Sequence, residues 1–109
     1  MISALDILAA SRVCECEAKG ESIQGQIWVI DALRNRAEKY GISIVESSYR
    51  GLCRGRLEKR FLELASEVLK QPPSHHYCYF LNESLSTDLE WVSYSKTQQR
   101  VKVGSHWFF

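Results

Sequence analysis

The chain opens with apolar residues spaced for a helix. Wound at about 3.6 residues per turn, Ile2, Leu5, Leu8, Ala9, Val13 and Cys16 share one face. This predicts a helix from Ser3 to about Ala18 or Lys19, with Gly20 as its stop. Arg12 falls inside the apolar arc, where it either snorkels or pairs with a carboxylate. Ser22 then reads as the N-cap of a second helix from Ile23 to about Tyr40, closed by Gly41. Its apolar side collects Ile23, Ile27, Ile30, Leu33 and Ala37. The stretch from Ile42 to Gly55 is the least regular, with Ile42, Ile44 and Val45 packing as a short helix. A third helix is expected from about Arg56 to Leu69, with Leu57, Phe61, Leu64 and Val68 as its stripe and Pro72-Pro73 beyond its end. From Tyr77 onward the period changes to two and aromatic residues dominate. Tyr77 to Leu81, Trp91 to Tyr94, Arg100 to Val103 and His106 to Phe109 read as short strands. Gly104-Ser105 suits a type II′ hairpin between the last two, because that turn wants glycine first. The expected class is α+β: about three helices followed by a small antiparallel sheet.

Composition narrows the picture. A chain of 109 residues makes a single domain, residues 1 to 109, with one core. Hydrophobic content of 45% and charged content of 25% belong to an ordinary soluble globule. The net charge of +1 argues against nucleic acid as a partner. A basic cluster of Arg50, Arg54, Arg56, Lys59 and Arg60 contains only one aromatic, Phe61, and reads as a solvated face or an attraction to an anionic wall polymer. No apolar run approaches the roughly 20 residues that span a bilayer, so no membrane insertion is expected. The N-terminus lacks a basic region and Asp6 interrupts its apolar segment, so no cleavable signal is expected either.

Cys14, Cys16, Cys53 and Cys78 are enough for two disulfides, but without a signal the expectation is a reducing site of synthesis. Cys14 and Cys16 point to opposite sides of a helix and do not pair with each other. Cys16 and Cys78 are expected as buried free thiols. Cys14 and Cys16 together with His75, His76 and Cys78 invite a zinc reading, but no Cys-x-x-Cys spacing supports it, and no metal or cofactor is expected.

The candidate chemistry starts at Glu17, on the flank of the first helix's apolar face just before Gly20, with a second carboxylate at Glu21. A carboxylate half sheltered by apolar neighbours tends to hold its proton, as a general acid must. On the second helix Trp28, Asp31 and Asn35 lie together at i, i+3, i+7. An aromatic ring beside hydrogen-bonding groups suits a sugar, whose ring face is apolar and whose edge carries hydroxyls; the alternative is that Trp28 packs in the core and Asn35 caps a loop.

The stretch Glu17-Ala18-Lys19-Gly20-Glu21-Ser22-Ile23-Gln24-Gly25-Gln26 resembles the Glu-Ala-(Arg/Lys)-Gly-Glu-x-x-x-Gly-Gln signature of the cell wall hydrolases typified by the spore cortex-lytic enzymes. Further blocks follow in the family's order. Leu33-Arg34-Asn35-Arg36 is similar to its Leu-Asn-Arg segment, Tyr79-Phe80-Leu81-Asn82 to its aromatic strand ending in asparagine, and Val103-Gly104-Ser105-His106-Trp107-Phe108 to its closing Ile-Gly-Asn-His-x-Phe. The likeness runs from about Leu8 to Phe109. It departs from the family at Glu15, where an aromatic is usual, at Ser105, which replaces an asparagine, and after the second helix, where Ser47 to Gly51 lacks the family's Gln-Phe segment.

The resemblance implies a lysozyme-like fold and cleavage of peptidoglycan glycan strands between N-acetylmuramic acid and N-acetylglucosamine. It implies a lytic transglycosylase with Glu17 as the single catalytic acid and base. Hydrolysis of the same bond is the alternative, with Glu21 as base or nucleophile; otherwise Glu21 binds substrate or supports the site. Asn35, Tyr79, Asn82 and His106 are the next candidates, with Trp28, for holding the sugar or fixing Glu17. His106 reads equally well as a structural histidine. A phage-borne lysin, made in the cytoplasm and acting on the wall, fits the missing signal, the missing wall-binding repeat and the short length; it is either carried in the virion with phage tail or other virion proteins or released late through a separate membrane pore. A catalytically silent virion or envelope module is the second class of reading, and a nucleic-acid-binding domain using the basic cluster is the third.

Overall fold

The computed structural model describes residues 1–109. Helix α1 spans Ala4–Ala18 and α2 spans Ile23–Tyr40. The caps written in the sequence set their limits. The Ser3 hydroxyl accepts from the Asp6 N–H while the Asp6 carboxylate accepts from the Ser3 N–H, a capping box. The Ser22 hydroxyl accepts from the Gly25 N–H. Gly41, at φ +63°, ends α2 in the left-handed conformation and donates its N–H to the carbonyls of Ala37 and Glu38. A short helix, α3 (Ile44–Ser47), follows, and α4 (Lys59–Leu69) starts three residues later than expected.

The buried face of α1 is rotated from the expected one. Asp6, Ala10, Val13, Cys14 and Ala18 are buried, whereas Ile2, Leu5 and Cys16 are exposed. The reason is polar: Asp6 accepts from the Val45 N–H at the start of α3, and Glu15 accepts from the Glu58 N–H at the start of α4. Those two carboxylates turn the helix toward the elements they cap, and the small residues between them pack beneath Phe61, Ala65, Val29 and Leu33. Arg12 neither snorkels nor pairs with a carboxylate. It brackets Gly55 instead, donating Nε to the Gly55 carbonyl while its own carbonyl accepts the Gly55 N–H at 2.7 Å.

The C-terminal part of the chain carries a three-stranded antiparallel sheet in the order β1-β3-β2, with β1 Phe80–Leu81, β2 Val101–Val103 and β3 His106–Phe108. The α+β class therefore holds. Phe80 faces Phe108, and Val103 faces His106 across the hairpin. Gly104 has φ +60° and Ser105 has no positive φ, as a type II′ turn requires. The period of two puts His106 and Phe108 inward and Trp107 outward, under Arg100 and Lys102. Trp91 to Tyr94 corrects the expectation: it is not a strand but part of a fifth helix, α5 (Leu89–Lys96). The Asp88 carboxylate accepts from the Trp91 N–H and nucleates it. No helix is long and apolar enough to cross a membrane.

Candidate functional site

Between the helical half and the sheet lies a cavity of about 680 Å³, a size typical of ligand pockets. Glu17 from the end of α1, Tyr79 and Asn82 flanking β1, and His106 from β3 all line it. Four residues singled out in three separate stretches of sequence thus meet at one cavity. Trp28 and Asn35 do not reach it. The Trp28 ring packs against His75, Tyr77 and Phe108, and the Asn35 amide donates to the carbonyls of His75 and Tyr77 at 2.9 and 3.0 Å. With Asp31, which accepts from the Ser74 N–H and hydroxyl, they clamp residues 74–77 onto α2. That face of α2 is covered by the chain's own connection into the sheet rather than open to a sugar.

Glu17 is half-buried, and its Oε1 accepts the Cys53 N–H at 2.9 Å. That bond is locked by a feature the sequence reading did not expect. Cys16, adjacent to Glu17, is joined to Cys53 in a disulfide, and both line the cavity. Cys78 is free as expected, though only half-buried, and the other free thiol is not Cys16 but Cys14, buried and with its pKa pushed up to about 12 by desolvation. The disulfide, with the Arg12–Gly55 bracket, holds the irregular segment after α3 against the end of α1 and makes it one wall of the cavity.

The other carboxylates are committed elsewhere. Glu21 lies beyond the helix, since its N–H bonds to the Ala18 carbonyl in the turn. Its Oε1 accepts the Ser105 N–H at 2.7 Å, and that backbone bond holds its carboxyl below the ordinary carboxylate range. Glu21 therefore ties the β2–β3 hairpin to the start of α2. Glu15 points at the N-terminus of α4, away from the cavity, so the departure at that position adds no third carboxylate to the site. Asp88 lines the cavity but spends Oδ1 on the cap of α5.

His106 is 1% exposed, and both its ring nitrogens lack a hydrogen-bond partner. Nδ1 stands 3.6 Å from Glu21 Oε1, too far for a hydrogen bond. A buried polar group without a partner costs about 1–3 kcal/mol, so the fold carries this histidine at the cavity wall at a cost.

Residues not expected at the site complete the lining. Trp91 of α5 meets Tyr79 edge-on at 5.6 Å and stacks on Tyr94, presenting an aromatic surface to the cavity. Arg36 and Tyr40 come from the C-terminal half of α2, and Arg50 from the disulfide-held segment. Tyr40 and Tyr79 share a hydrogen bond between their hydroxyls, and Lys39 donates to the Tyr79 hydroxyl at 3.2 Å. Burial, reinforced by the Tyr40 bond, moves the Tyr79 phenol above its ordinary range, so Tyr79 stays a neutral donor and acceptor. The helix-start signal at Asp88, three residues before Trp91, could have found the aromatic platform.

Compared with known protein families, with curated proteins and with solved structures, the chain found no match in any of the three.

Proposed function

We propose that this chain cleaves the glycan backbone of peptidoglycan between N-acetylmuramic acid and N-acetylglucosamine, as a lytic transglycosylase with a lysozyme-like arrangement around Glu17. The observation that carries the reading is the convergence of Glu17, Tyr79, Asn82 and His106 on one cavity, with Trp91 beside them as an apolar face for a sugar ring. In this reading Glu17 donates its proton to the glycosidic oxygen as the bond to the muramic C1 breaks. As a carboxylate it then takes the proton from the muramic C6 hydroxyl, whose oxygen closes on C1. The product is a 1,6-anhydro ring, no water is consumed, and Glu17 returns to its starting state.

Hydrolysis needs a second carboxylate free to act as base or nucleophile, roughly 5–9 Å from the first. Glu21 and Glu15 do not line the cavity, and Asp88, which does, gives Oδ1 to the cap of α5. This favours the single-carboxylate route. The test is digestion of purified peptidoglycan by the wild type and by Glu17→Gln, with soluble products weighed by mass spectrometry. Anhydro-muramic ends from the wild type alone are expected. Reducing muramic ends would replace the mechanism with hydrolysis. Equal activity in both proteins would remove Glu17 from the chemistry, and no products from either, across several wall types, would leave a wall-binding module without turnover.

A further inference from the structure

Arg36 is 5% exposed, yet no carboxylate of the protein pairs with it. Its Nε donates to the Cys78 carbonyl at 3.0 Å, and its guanidinium lies 4.9 Å from the Tyr79 ring centre and 5.8 Å from that of Phe80. Those contacts fix the plane of the group and leave both terminal nitrogens without a protein acceptor. They are not sealed off, as the His106 nitrogens are, and Arg36 lines the cavity. Burial presses the guanidinium toward its neutral form, but a group of this basicity keeps its charge. The structure therefore holds a cation whose orientation is set and whose paired donors are vacant. A buried charge in that condition is costly unless something else meets it.

The group that fits a fixed fork of two N–H donors is a carboxylate, bound through two parallel hydrogen bonds. Arg50, stacked at 4.6 Å on the Tyr40 ring at the cavity edge, adds a second positive charge on the same side. Glu17 and Arg36 line the same cavity, so an anion seated on Arg36 lies near the carboxylate assigned to the chemistry. We propose that Arg36 is the specificity-determining anchor of the cavity and binds a carboxylate of the substrate. On the reading of the preceding subsection, which this inference rests on, that carboxylate belongs to the muramic side of the glycan. It is either the lactyl carboxylate of a peptide-free sugar or a carboxylate of the attached peptide. A homopolymer of N-acetylglucosamine carries neither and is discriminated against.

Binding is measured by calorimetry on Glu17→Gln, so that nothing turns over. The ligands are a peptide-free tetrasaccharide of alternating N-acetylglucosamine and N-acetylmuramic acid, the same with its lactyl groups as methylamides, the same bearing stem peptides, and chitotetraose. A carboxylate-bearing ligand is expected to bind at least about 10-fold tighter than the methylamide and chitotetraose, with the advantage shrinking in high salt. Tighter binding of the peptide-free form identifies the lactyl group as the source; tighter binding of the peptide-bearing form identifies the stem. Glu17→Gln with Arg36→Lys keeps the charge but not the fork and is expected to lose most of the preference. Because the methylamide comparison uses a protein intact at Arg36, the inference stays testable even if that variant misfolds. Equal binding of all four ligands, or no binding, overturns it. Carboxylate preference without peptidoglycan cleavage would instead overturn the proposed reaction and leave the anchor standing.

Discussion

Reducing the Cys16–Cys53 disulfide is the most quantitative perturbation the structure offers. The two residues are 37 apart in sequence, and releasing a cross-link of that span returns about 4 kcal/mol of conformational entropy to the unfolded chain. A domain of this size has a total stability of about 5–15 kcal/mol, so the loss is a large share of it. The reduced protein still folds, because the segment after α3 keeps the Arg12–Gly55 bracket, the Glu58 N–H on Glu15, and the Lys19–Glu58 ion pair at 2.6 Å. With a urea slope of about 1.5 kcal/mol per molar, the unfolding midpoint should drop by about 2.5 M on reduction. Urea titrations with and without reductant measure this, with Cys16→Ser/Cys53→Ser as the control that should not respond to reductant. Cys14 and Cys78 carry no disulfide, so reductant has one target. The cavity should loosen at the same time, since the Cys53 N–H that fixes Glu17 rides on the released segment. A midpoint that moves by less than about 0.5 M would refute the reasoning: the bond would be absent in solution, or the unfolded chain already as restricted without it.

Acid should destabilise the protein in two stages. His75 donates Nε2–H to the Trp28 carbonyl and accepts the Tyr77 N–H at Nδ1, an arrangement only the neutral ring can make. Burial lowers its pKa below the ordinary 6.5, with the bond to the Trp28 carbonyl and Asp31 opposing that shift and His76 and Arg34 adding to it. The unfolded chain therefore takes up the proton first, and stability falls as the pH drops below about 6.5 until the folded form titrates as well. Glu21 and Asp6, both lowered, contribute stability that is present above their unfolded pKa values and lost as the pH falls through the folded ones. Urea midpoints between pH 8 and 3 should show both stages, with His75→Gln removing the first; a flat profile down to pH 4.5 would count against the assignment. The cap of α5 makes a separate prediction: Asp88→Ala should cost about 1 kcal/mol, and Asp88→Asn only a few tenths, measured by urea unfolding. Equal losses would mean that the charge and not the cap matters there.

The parts of the fold that were legible in the sequence are those decided by neighbours along the chain. Ser3, Ser22 and Gly41 bound α1 and α2 because capping is a local hydrogen-bond geometry, and Gly104 declares its hairpin for the same reason. Trp91 to Tyr94 was misread because tryptophan, valine and tyrosine favour strands, while a single cap at Asp88 decided for a helix. The rotated face of α1 and the place of Trp28 were hidden for a different reason. Periodicity tells which residues share a face but not what covers it, and here polar clamps choose the covering: Asp6 and Glu15 for α1, Asp31 and Asn35 for α2.

That distinction bears on the site itself. The sequence offers Glu15, Glu17 and Glu21 within seven residues, and composition has no means of ranking them. The structure ranks them by occupation. Glu15 is spent on the start of α4 and Glu21 on the β2–β3 turn, and neither lines the cavity. Glu17 is also bound, but by the one segment that a disulfide holds at the cavity wall, and it alone of the three lines the cavity. A carboxylate oriented by a single backbone N–H on Oε1 keeps Oε2 for a ligand, which is the arrangement an acid acting on a bound sugar needs. Arg36 follows the same logic with the opposite charge: its Nε is used for position and its outer nitrogens have no protein acceptor. The two groups on which the proposed chemistry and its specificity depend thus each have a hydrogen-bonding capacity that the fold fixes but does not exhaust.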